Sequence, residues 1–179
     1  MRRSFEELIG SELDQLYRAA LFLVGGRTEQ AERLLTAVAL SAHREYASLE
    51  DEPERPGRWL LERLASTALH AETQSNSMSS ATGVAPSPTG DVAVDSSPET
   101  SSLPRQLHLD HVAAEASGLP LRTRIAFWFA VIERRRYSDI GEILDEPPSS
   151  VAHRIRVGHR VIVHGISRSR ARRERGRPG

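Results

Sequence analysis

The 179-residue chain contains no cysteine, and none of its 24 basic residues is lysine. The first absence excludes a disulfide framework and any cysteine-based zinc or redox site. The second leaves arginine as the sole cationic side chain. Arginine forks suit phosphates and base edges, although a GC-rich genome produces the same bias, and the genomic explanation carries the greater weight. Long apolar runs are missing as well. The longest, Ala19 to Val24, is far too short to span a bilayer. Glu6, Glu7, Glu12 and Asp14 precede it, which is wrong for a secretory leader. A cytoplasmic protein without membrane insertion is expected.

Enzyme signatures are also wanting. The seven histidines (43, 70, 108, 111, 153, 159 and 164) form no metal motif: His108 and His111 stand three apart without a third ligand at a diagnostic spacing. There is no P-loop, no dinucleotide fingerprint and no Gly-x-Ser-x-Gly elbow. The expectation is a non-enzyme with no cofactor.

The formal net charge is zero, which on its face argues against a nucleic-acid partner. Division of the chain changes that. Residues 1–71 hold 9 Arg and 12 acids, net −3, and residues 72–104 hold four acids and no base, net −4. Residues 105–179 hold 15 Arg and eight acids, net +7. Neutrality is a cancellation between unlike segments, and such asymmetry signals a charged partner.

Apolar spacing predicts an all-α protein of two small domains. In residues 1–72, Phe5, Leu8, Ile9, Leu13, Leu16, Tyr17, Ala20, Leu21 and Val24 recur at helical steps. Gly25-Gly26 ends that helix, and Thr28 is expected to cap a second, running to about Tyr46. A third is expected over Arg58–Glu72, with Trp59 read as a core anchor. Together they make a three-helix bundle. Residues 73–104 are rich in Ser, Pro and Ala, keep no period, and read as a flexible acidic linker.

Residues 105–167 are expected to form the second domain. A short helix around Leu107–Ala116 breaks at Gly118, and Pro120 opens another that runs to about Arg134. Ser138 is expected to cap a short helix, Asp139–Asp145. Pro147-Pro148 turns the chain, and Ser149 or Ser150 caps a final helix with Val151, Ile155, Val161 and Ile162 on its apolar side. Ser149, Ser150, Ala152, His153, Arg154 and Arg156 are predicted on its open side. Residues 168–179, with six Arg between Arg168 and Arg177, read as a disordered basic tail. A short helix, a tight turn and a basic helix form a helix-turn-helix pattern, whose second helix enters the DNA major groove.

These residues resemble a family. Leu119-Pro120, Arg124-Ile125-Ala126-Phe127, Tyr137 to Leu144, Pro147, Ser150-Val151 and Arg154-Ile155 together look like region 4 of bacterial sigma factors. The nearest type is the two-domain extracytoplasmic-function group of the sigma-70 family. The pattern departs at Asp145, where the family has a helix-ending Gly, and at Ala152, where it has a basic residue. Residues 1–72 are similar to region 2 in Leu16-Tyr17-Arg18-Ala19-Ala20, in Ala31-Glu32 and in Arg58-Trp59-Leu60-Leu61. They depart at Arg33–Ala37, where the family grips the polymerase clamp helices, and at Ala65–Glu72, where it holds melted DNA.

The resemblance implies an atypical sigma factor. Its partners would be promoter DNA, the bacterial RNA polymerase core and, as a further candidate, an anti-sigma factor. Ser149, Ser150, His153, Arg154 and Arg156 are the expected DNA contacts on the upstream promoter element, with Arg160 on phosphate. Two alternatives stand beside it: a DNA-binding regulator without productive polymerase engagement, and a protein-interaction module.

Overall fold

In the computed structural model, residues 3–49, 53–79 and 109–175 are described, and among them every regular element is helical. The bulk of the predicted linker, with Asp91, Asp95 and Glu99, and the last four residues lie outside the described residues.

Helix α1 (Phe5–Leu23) starts at a capping box. Ser4 Oγ accepts from the Glu7 amide at 3.2 Å, and the Glu7 carboxylate accepts from the Ser4 amide at 3.1 Å. It ends at Gly25 (φ +69°) and Gly26 (φ +82°), in the left-handed region that glycine enters without steric cost. A Cβ on Gly25 would also lie 2.8 Å from Ser117 Cβ, so this turn lets distant chain approach closely.

Helix α2 (Thr28–Ser48) begins at the residue predicted to cap it. Arg27, in extended conformation, takes the cap position, and Thr28 is already helical. The Arg27 carbonyl accepts the first helical bond, from the Ala31 amide. Helix α3 (Pro56–Ser79) overruns its predicted end by seven residues. The sequence there has no Gly or Pro to stop it, and Thr73 and Ser75 hydroxyls turn inward onto the Leu69 and Ala71 carbonyls. Apolar spacing ends at Ala68, which makes residues 73–79 read as linker, but a helix needs no such spacing to continue. Leu8, Leu16, Ala19, Ala31, Val38, Ala42, Leu60, Leu64 and Ala65 close the bundle core.

The second helical group comprises α4 (Leu109–Ala116), α5 (Leu121–Phe127), α6 (Tyr137–Leu144) and α7 (Pro148–Arg175). Helix α5 passes without a break into a π-helical turn, Trp128–Ile132. Residues expected as a disordered tail continue α7 through Arg175. Arg, Ala and Glu favour helix, and the first Gly of that stretch is Gly176.

Both predicted helical groups are present, and they share one hydrophobic core. Every residue from Thr123 to Phe129 is buried, because α5 and its π turn are enclosed by α1, α3, α6 and α7. Phe22 of α1 packs on Phe127 (centroids 6.0 Å) and Trp128 (5.4 Å). Arg135 seals the edge: its guanidinium pairs with Glu62 of α3 at 2.5 Å and lies 4.4 Å from the Phe129 ring centre. Gln15 donates to Glu133 at 2.9 Å, and Arg58 reaches Asp139 at 3.5 Å. The groups are therefore docked, not held apart.

Candidate nucleic-acid interface

Helix α6 starts at Tyr137 behind Arg136, so Ser138 lies inside the first turn and is not its cap. Its hydroxyl donates to Asp139 at 3.1 Å. Ile140, Gly141 and Leu144 are buried. Asp145 then adopts φ +53°, ψ +52°, the left-handed conformation for which the family resemblance leads one to expect glycine. Short polar Asp tolerates this region better than most residues. The chain doubles back so tightly that the Glu146 amide bonds the Gly141 carbonyl, and a Cβ on Gly141 would meet the Glu146 carbonyl at 2.5 Å.

Pro148 opens α7 as its first residue, so Ser149 and Ser150 are first-turn residues and neither is the cap. Amides of Ser150 and Val151 both bond the Pro147 carbonyl. The buried stripe of α7 is Val151, Gly158, Ile162 and Gly165, with Ile155 and Ile166 packed beside it. Steps of three and four residues carry that stripe over α4, α5 and α6. Gly158 lets α7 come close to α5, since a Cβ there would sit 3.3 Å from Phe127 Cδ2. Two expectations fail here. Ala152, expected on the open side, is buried because it flanks the start of the stripe. Val161, expected in the core, is exposed, because Ile162 occupies the inward position and turns its neighbour out.

The predicted contact residues divide by environment. Ser149, His153, Arg156 and Arg160 are exposed, and Ser150 is half-buried. His153, Arg156, Arg160 and His164 follow one another at three- or four-residue steps and share a face. At 1.5 Å per residue the 28-residue α7 is about 42 Å long. Its exposed basic face thus runs well past the turn, and Ser167 and Arg168 prolong it.

Arg154 behaves differently. Its Nε donates to Glu146 Oε2 at 2.7 Å and its Nη2 to Oε1 at 2.8 Å, a bidentate pair. Arg122 of α5 donates to the same Oε1 at 2.9 Å and to the Leu144 carbonyl at 2.7 Å. Burial alone would raise the Glu146 carboxyl, but the bonds from Arg154 and Arg122 outweigh it and hold the group below its ordinary value. Glu146 and Arg122 were not among the predicted residues. The three charges lie at positions 122, 146 and 154, and only the turn geometry unites them.

Arg124 is buried with no partner for Nε or Nη1 among the described residues, and Trp128 Nε1 is in the same condition. Burial, with Arg27 nearby, lowers the Arg124 guanidinium from its ordinary value, partly offset by Glu72. Trp59 is half-buried and tilted against Tyr46, 6.3 Å between ring centres.

Among the described residues no group of His, Asp or Glu could hold a metal ion, and no helix is long and apolar enough to cross a membrane. No family model matches the chain, and no curated protein matches it.

Proposed function

We propose that this chain is an atypical transcription factor of the extracytoplasmic-function sigma type, which reads upstream promoter DNA through α7. One observation carries the reading: a helix-turn-helix whose second helix is braced by α4, α5 and α6 and leaves His153, Arg156 and Arg160 exposed on one face. Such a helix fits the major groove, with its N-terminal residues on base edges and later basic groups on phosphates. In this reading residues 1–72 engage the RNA polymerase core. Leu40 of α2 is 59% exposed beside Arg33, Thr36 and Ala37, an exposed apolar side chain next to charged and polar ones.

Transcription in vitro with bacterial core polymerase tests the proposal. Promoter-specific initiation that depends on the added chain is expected. Intact DNA binding without initiation would contradict polymerase engagement and favour the second reading, a regulator that binds DNA alone. That second reading is supported by the shared core, since the docked groups form a compact body with α7 open to solvent.

A further inference from the structure

Three N–H donors converge on one carboxylate at the start of α7: Nε and Nη2 of Arg154 and Nη1 of Arg122, all on the two oxygens of Glu146. A phosphodiester presents the same pattern, two non-bridging oxygens carrying one negative charge, and arginine forks bind both groups in the same geometry. The Glu146 side chain is only 13% exposed, whereas Arg154 and Arg122 are 28% and 43% exposed. The Glu146 side chain is therefore tucked in while both arginine side chains are open to solvent along part of their surface. The cluster lies at the turn of the helix-turn-helix, next to the end of α7 that approaches DNA in that motif.

We propose that Arg122 and Arg154 form a receptor for a DNA backbone phosphate, and that Glu146 occupies it in the free chain, so that a phosphate must displace Glu146 to bind. This rests on the reading of α7 as a DNA-binding helix and adds regulation of that same face. Two guanidinium groups around one carboxylate leave a net positive charge, so DNA is attracted while the donors are already satisfied. Self-occupancy weakens the sequence-independent part of binding. Discrimination then falls more heavily on Ser149, His153 and Arg156.

The test measures the affinity of the full chain for a mixed-sequence duplex of about 30 base pairs, across salt concentrations. Glu146→Gln is compared with Asp145→Asn, which makes the same charge change one residue away at an exposed position. Glu146→Gln is expected to tighten binding about five- to tenfold and to steepen the salt slope by about 1, one further phosphate contact. Asp145→Asn is expected to do markedly less, and Arg154→Ala added to Glu146→Gln should abolish the gain. Equal gains from the two neutralisations, or weaker binding by Glu146→Gln in a chain that melts normally, would overturn the inference alone. Absence of duplex binding by every variant would overturn both it and the reading beneath it. If Glu146→Gln melts below the assay temperature, Glu146→Leu, which removes the charge and keeps the bulk, answers the same question.

Discussion

Gly141 and Asp145 show how much of the turn depends on single atoms. A methyl group on Gly141 would press against a backbone carbonyl, which cannot rotate aside as a side chain could. Gly141→Ala should therefore cost about 1–3 kcal/mol, read as a lowered Tm. Glu146 adds a pH dependence. Its carboxyl is held below its ordinary value of 4.5, so its stabilising contribution is full above that pH and is lost as pH falls through the folded-state value. In acid titrations followed by circular dichroism, Glu146→Gln should flatten the stability loss that begins below about pH 4.5. Arg124 works in the opposite sense. Its guanidinium is buried with Nε and Nη1 unpartnered among the described residues and only partly offset by Glu72, so Arg124→Met should raise Tm by several degrees, on the scale of about 2–4 °C per kcal/mol for a chain of this size.

At the scale of elements, the left-handed cap of α6 is the clearest candidate for improvement. Asp145 holds a conformation that glycine takes at no steric cost, and its carboxylate follows the negative end of the α6 dipole. Asp145→Gly should stabilise the chain by about 0.5–1 kcal/mol, measured by urea unfolding. The existence of all the helices and most of the buried stripe of α7 follow from apolar spacing, because burial imposes that spacing on the sequence. The helical ends of α3 and α7 do not, since the sequences of residues 73–79 and 168–175 carry no periodic apolar spacing and yet form helix. The candidate interface was partly legible for the same reason. Exposed His153, Arg156 and Arg160 are opposite a readable apolar stripe, whereas the capture of Arg154 by Glu146 depends on a backbone reversal at Asp145 that spacing does not encode.

For the whole molecule, the docking of the two helical groups was not legible. Phe127 and Trp128 read as the apolar side of their own helix and Phe22 as part of a short apolar run, and only the fold brings their rings together. Ionic contacts such as Arg135 with Glu62 join charges 73 positions apart. Because the chain has no native cysteine, Gln15→Cys with Glu133→Cys offers a clean probe. A short thiol crosslinker should join the two sites efficiently in the free chain, and absence of crosslinking would contradict the docked arrangement. A locked chain that still binds duplex but no longer supports initiation would mean that the groups must separate on the polymerase.

In the proposed reading the open face of α7 reads DNA, and duplex affinity of the Arg156→Ala, Arg160→Ala chain responds to that face alone. At moderate salt, with the fold intact by circular dichroism, binding to an occupied promoter fragment should weaken at least about tenfold with a shallower salt slope. Unchanged affinity and slope would contradict it.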